Sequence, residues 1–197
     1  MIAVTLASAS VSRAAILRGA GVVFDVAAAG VDEAAVKADA LSRGADALSI
    51  AASLAELKAM AVPRGRTALV IGADQTLELD GLLFDKPGSA IEARSHLERL
   101  RGRTHALHAA VAVARDSQII WQSADTARLT MRAFSDLFLD DYLARLGAAA
   151  TSTVGAYRLE GEGAQLFERI EGDYFSILGL PLLGLLEVLR REGALAR

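Results

Sequence analysis

Six consecutive apolar or glycine residues, Ala68-Leu69-Val70-Ile71-Gly72-Ala73, run directly into a carboxylate at Asp74. A continuous run of this kind marks a strand covered on both faces, because a strand with one wet face alternates apolar and polar residues. Helices must then cover the two faces of the sheet. The acid at the end of the run is costly to bury unless it is paired, hydrogen-bonded or bound to a cation. Strand ends in such sheets are also where ligands bind, so Asp74 reads as a functional residue. The plainer alternative is a carboxylate satisfied by backbone N–H groups.

The flanking sequence supports a mixed sheet. Residues 2–6 are β-branched and apolar, Ser8, Ser10 and Ser12 surround a turn, and Ala14, Ile16 and Leu17 open a helix closed by Gly19 and Gly21. Val22–Val26 reads as a second strand, with Asp32 and Glu33 in the loop after Gly30. The Ala-rich stretch Ala45–Met60 reads as a helix ending before Pro63. Asp80-Gly81 is a type I′ hairpin signal between Leu77–Leu79 and Leu82–Phe84. Ser89 can cap a helix running to Gly102. Thr104–Ala114 and Ile119–Met131 form a second hairpin, Ser135 can cap another helix, and a last helix runs from Pro181 to about Arg191. With no internal repeat or linker, the expectation is a single α/β domain spanning 1–197, its mixed sheet flanked by helices in two lobes around a cleft.

Composition narrows the partners. The chain has 197 residues, 53% hydrophobic and 23% charged, with a formal charge of −3. That apolar fraction excludes a disordered acidic protein, and the charge lacks the basic field that nucleic-acid binding needs. No cysteine is present, so thiolate metal sites and thiol nucleophiles are excluded. No stretch reads as a signal peptide or bilayer span, which makes a cytoplasmic location the expectation.

Two further features can bear chemistry. Ser8, Ser10, Ser12 and Arg13 lie where a strand hands over to a helix. Backbone N–H groups, hydroxyls and a guanidinium can converge there on an anion such as phosphate, although a capped surface turn fits equally well. Counting back from Leu79 opposite Leu82 pairs Gln75 with Lys86, which brings Lys86 near Asp74. In a regular pleat Asp74 and Gln75 face opposite sides, so a shared face for Asp74 and Lys86 requires the Pro87 turn to redirect one of them. Glu33, Lys58 and Glu160 read singly as solvated charges. His96, His105 and His108 lack the spacing of a metal motif.

Taken together, Leu6-Ala7-Ser8-Ala9-Ser10 with Arg13, Asp32-Glu33, Leu54-Ala55 with Lys58-Ala59, Ile71-Gly72-Ala73-Asp74-Gln75, Lys86-Pro87, Gly102 with Thr104-His105, Gly155-Ala156-Tyr157 and Gly179-Leu180-Pro181-Leu182 resemble the Maf family of nucleoside triphosphate pyrophosphatases. The order and spacing agree over nearly the whole chain. The resemblance implies a two-lobed α/β fold related to inosine triphosphate pyrophosphatases, dimeric in many members. It also implies divalent-metal-dependent hydrolysis, with Mg²⁺ or Mn²⁺, of nucleoside triphosphates to monophosphate and pyrophosphate. The family name carries a competing expectation, a nucleotide-binding regulator of septum formation without turnover.

Residue by residue, the resemblance makes Asp74 the carboxylate that takes a proton from water, with Lys86 as its catalytic companion. Glu33 and Asp74 hold the metal, and Ser8, Ser10, Ser12, Arg13, Lys58 and Lys86 grip the triphosphate. Ser12, Gln75 and Glu160 stand where the branch acting on dTTP and UTP carries Arg, Thr and Gln. The Asp-Gln and Glu-Gly pairs look like the branch acting on 7-methyl-GTP. A carboxylate at Glu160 could accept hydrogen bonds from a guanine edge and attract the charge of a methylated ring. The family's usual Pro-Arg, its Glu before the helix Lys, and its Lys-Ala before Gly-Ala-Tyr are here Val11-Ser12, Leu57 and Thr153-Val154.

Overall fold

The computed structural model describes residues 2–62 and 68–196. Its strands are β1 (Val4–Leu6), β2 (Asp25–Val26), β3 (Leu69–Leu79), β4 (Leu82–Phe84), β5 (Thr104–Arg115), β6 (Gln118–Met131) and β7 (Phe167–Glu171). Its helices are α1 (Val11–Gly19), α2 (Glu33–Ser42), α3 (Ala47–Ala61), α4 (Ala90–Leu100), α5 (Asp136–Leu146), α6 (Tyr174–Ile177) and α7 (Leu182–Arg191). The strands form one mixed sheet in the order β2-β1-β3-β5-β6-β7, with β4 paired to β3. β1 runs parallel to β2 and β3, whereas β4 and β7 run antiparallel to β3 and β6. This is the mixed α/β architecture the apolar run at Ala68–Ala73 calls for.

The chain divides into two compact units. The first takes in the chain up to Gln75, His108–Thr126 and Asp173 onward; the second takes in Thr76–Leu107 and Ala127–Gly172. In the first unit, alternate residues of β3 serve two cores. Leu69, Ile71 and Ala73 pack with Val4, Leu6, Leu17, Leu185 and Leu189, joining β3 to β1, α1 and α7. Val70 packs with Ala51, Ala55 and Ala59 of α3 and with Ala110, Ala112 and Ala114 of β5. The period of two in the strand and the four-residue spacing of small residues on the helix produce this division.

Helix α3 approaches β3 unusually closely. A Cβ placed on Gly72 would stand 2.1 Å from the Ala55 carbonyl oxygen and 2.4 Å from the Ala59 nitrogen. Only a glycine on the strand and alanines on the helix let the two backbones meet there.

In the second unit, α4 and α5 are tied by ion pairs of Arg101 with Asp136, at 2.7 Å, and of Arg94 with Asp140. The β3–β4 turn has positive φ at both Asp80 and Gly81, 52° and 79°, the type I′ geometry expected. Its ladder pairs Leu79 with Leu82 and Leu77 with Phe84. There β4 ends, so the register does not extend as a ladder to Gln75 and Lys86. Ser89 and Ser135 cap α4 and α5 as their sequence positions suggest, accepting from the N–H groups of Glu92 and Phe138.

Three elements differ from the sequence expectation. Glu33 is not in a loop but is the first residue of α2, capped by Asp32, whose Oδ1 accepts the Ala35 N–H at 3.0 Å. Alanines and charges alternate through α2 without an apolar stripe, so periodicity gave no helix signal. The strand at Val22–Val26 shortens to Asp25–Val26, because β2 is an edge strand with two partners on β1. β7 was hidden by its polarity: four of its five residues are exposed, and it forms the opposite edge. Pro63, offered as the reason for the end of α3, lies outside the described residues. Among the described residues no helix is long and apolar enough to cross a membrane.

Candidate active site

The site is assembled in the first unit, where β1 passes into α1 and β3 reaches Asp74. Ser10 caps α1, its hydroxyl accepting the Arg13 N–H at 3.4 Å. The Ser8 hydroxyl accepts both the Ser10 N–H, at 3.2 Å, and Arg13 Nη1, at 3.1 Å. Arg13 therefore folds back over the loop that precedes its own helix. Its Nε donates to the Gly179 carbonyl at 2.9 Å, and the side chain is buried. Burial pushes the guanidinium below its ordinary value, while the charges of Asp74 and Glu33 act in the opposite direction. An arginine stays protonated through such a shift.

Across from Arg13, α3 delivers Lys58. Its ammonium lies 2.6 Å from Asp74 Oδ1 and 2.6 Å from Glu33 Oε1. The Lys58 and Asp74 side chains are only 8% and 7% exposed, and that of Glu33 47%. Gly72 and its alanine neighbours account for the reach. Lys58 directly precedes Ala59 on α3, and Ala59 lies against Gly72, two residues before Asp74 on the facing strand. Two carboxylates and two cations thus balance in a small, largely dry volume, where charge–charge attraction is stronger than in water.

Gln75 is held by the end of α6. Its side chain turns to the opposite face of β3 from Asp74, as a regular pleat requires, and its Nε2 donates to the carbonyls of Ser176, at 3.1 Å, and Ile177, at 2.9 Å. Its amide hydrogens meet carbonyls at the end of α6. Ser12 sits half-buried on the first turn of α1.

Lys86 and Glu160 belong to the second unit. Lys86 is exposed in the segment that follows β4. Glu160 pairs with Arg158 at 3.1 Å and helps line a cavity of about 350 Å³ with Tyr142, Arg145, Arg158 and Glu162. The sequence reading missed the carbonyls of Ser176, Ile177 and Gly179, because a backbone acceptor carries no residue signature. The Gly179-Leu180-Pro181 segment was the available clue, as a place where backbone could approach closely.

The fold and these side chains define a class: an α/β protein that gathers carboxylates and cations from α1, α2, α3 and the middle of β3, equipment suited to a polyanionic ligand. The Maf-like protein family model matches residues 3–192, and the chain belongs to this family. It is 56% identical over 192 residues to a nucleoside triphosphate pyrophosphatase of Caulobacter vibrioides, covering 98% of this chain and 96% of that protein. A nucleoside triphosphate pyrophosphatase of Rhodospirillum rubrum is 53% identical, with the same coverage. A 7-methyl-GTP pyrophosphatase of Rhizobium meliloti is 49% identical over 191 residues, 96% of each chain.

Proposed function

We infer that the chain is a nucleoside triphosphate pyrophosphatase, a hydrolase that cleaves the anhydride between the α and β phosphorus atoms to release nucleoside monophosphate and pyrophosphate. The observation that carries this reading is the Lys58 ammonium, held 2.6 Å from each of Asp74 and Glu33 with Arg13 charged and buried beside them. Hydrolysis of a triphosphate needs charge neutralisation and alignment more than covalent help from the protein. Arg13, Lys58 and the Ser8–Ser10 loop supply the cations and hydrogen-bond donors. Asp74 accepts the proton of the attacking water, so that one P–O bond forms and one breaks, with pyrophosphate leaving.

The donor set suits a divalent ion. Two carboxylates already share one cation, the Lys58 ammonium, and hard oxygen donors are those that Mg²⁺ and Mn²⁺ prefer. Among the described residues no cluster of three acidic or histidine side chains forms a complete cage. An ion held by Glu33 and Asp74 would therefore be completed by substrate phosphates and water. When bound, the ion would neutralise charge on the reacting phosphates.

Within this class we favour a 7-methylated guanine nucleotide, with Glu160 reading the base edge and Lys86 adding a phosphate contact. Pyrophosphate release, measured with Mg²⁺ or Mn²⁺ from 7-methyl-GTP, dTTP, UTP and CTP, tests both levels. Turnover concentrated on 7-methyl-GTP is expected. Pyrimidine turnover overturns the base assignment and keeps the class, orthophosphate as first product overturns the bond cleaved, and nucleotide binding without any product returns the chain to a regulatory role.

A further inference from the structure

Lys58 and Arg13 are both buried cations beside Asp74 and Glu33, but they are held in different ways. Arg13 is tied to uncharged partners, donating from Nε to the Gly179 carbonyl and from Nη1 to the Ser8 hydroxyl. Lys58 pairs with the acids themselves, its ammonium 2.6 Å from Asp74 Oδ1 and 2.6 Å from Glu33 Oε1. Two carboxylate oxygens that converge on one nitrogen lie no farther apart than twice that distance. They define a seat for one small cation, and the ammonium sits in it. Lysine suits that position because its charge is compact and rides on a flexible four-carbon stem, whereas a guanidinium is a rigid planar fork.

We propose that Lys58 is an exchangeable counter-ion: it holds Asp74 and Glu33 together until a divalent ion takes the same oxygens, and then turns its ammonium to the triphosphate. The proposal rests on the pyrophosphatase reading above and on its divalent ion. Two cations cannot share one centre in a dry site, where like charges repel more strongly than in water. With Lys58 seated between the acids, a divalent ion must displace it, and a triphosphate alone finds its ammonium already engaged. When ion and triphosphate arrive together, Lys58 leaves the acids and meets the phosphates, so each ligand favours the binding of the other. The site thereby selects the metal-bound triphosphate over either part alone.

Lys58→Met keeps a long side chain and removes the ammonium. Binding of Mn²⁺ alone, followed by the electron paramagnetic resonance of the free ion, should be about tenfold tighter in this variant than in wild type, a typical size for coupling between two ligands. Arg13→Met removes an equal charge that does not lie between the two oxygens, and should gain clearly less. Lys58→Met should also melt lower than wild type without the ion, since a buried pair has lost one partner, and should recover more on adding Mn²⁺. Wild type supplies a second measurement, independent of how the variants fold. The chain contains three lysines, Lys37, Lys58 and Lys86. Trace acetylation with acetic anhydride, read by mass spectrometry, should label Lys58 several-fold more in saturating Mg²⁺, with Lys37 and Lys86 as internal references. Mn²⁺ affinity that is equal or weaker in Lys58→Met, or equal gains in both variants, overturns the proposal, as does Lys58 labelling that Mg²⁺ leaves unchanged. Each of those results keeps the pyrophosphatase reading. Absence of Mn²⁺ binding by wild type and Lys58→Met alike removes the ion from that reading, and the exchange with it.

Discussion

Each unit buries a polar cluster, and the two treat charge in opposite ways. In the first, Lys58 and Asp74 are almost fully buried as an ion pair, with Glu33 on the same ammonium and Arg13 nearby. In the second, His105 and Tyr157 share a 2.7 Å hydrogen bond with Phe167 packed against both rings, and among the described residues no counter-charge faces His105. Burial pushes the His105 imidazole down to about 4 and the Tyr157 phenol upward, so both are neutral at pH 7. Desolvation removes charge wherever no opposite charge lies within hydrogen-bond reach. The ion-paired cluster is the one proposed above for chemistry; the neutral one holds the fold.

The largest effect should come from breaking the charged cluster. Asp74→Asn keeps the side chain's shape and removes its basicity, and turnover should fall by roughly 10²–10⁴-fold. Circular dichroism and thermal melting should change little, because Lys58 retains Glu33. Near-normal pyrophosphate release from this variant would remove Asp74 from the mechanism.

The neutral cluster should respond to acid instead. His105 titrates near 6.5 when unfolded and near 4 when folded, so between these values the unfolded chain binds the extra proton. Stability is therefore complete above pH 6.5, declines as pH falls through that window, and is fully reduced below 4, by up to roughly 3 kcal/mol. Denaturant unfolding at pH 7.5 and 4.5 should register the loss, and His105→Phe should flatten it. An equal slope in that variant would place the acid sensitivity elsewhere. Smaller still, Tyr157→Phe leaves His105 Nε2 buried without its partner while Nδ1 already has none among the described residues. The expected cost is about 1–2 kcal/mol at neutral pH, with turnover nearly untouched.

What could be read beforehand follows the physics of the signal. The apolar run ending in Asp74, the Asp80-Gly81 turn and the caps at Ser89 and Ser135 are local, and each was legible. Ser8, Arg13, Glu33, Lys58 and Asp74 could be grouped only through their joint resemblance to a family, since nothing in the spacing of Lys58 and Asp74 says that they touch. Helix α2 and strand β7 escaped because neither carries an apolar period. The hold of Gln75 on Ser176 and Ile177 escaped because its acceptors are main-chain atoms a hundred residues away.

The approach of α3 to Gly72 has a consequence for how this protein can change over evolutionary time. Buried ion pairs are often neutral or unfavourable for stability when compared with well-packed apolar residues, so the lineage can exchange Asp74 and Lys58 together for packed apolar side chains without losing the fold. Gly72 offers no such separation. A single added methyl there would strike helix backbone, disturbing the packing of the sheet and the alignment of the lysine together. Chemistry at this site can decay while the scaffold persists, but drift at the glycine is closed to both.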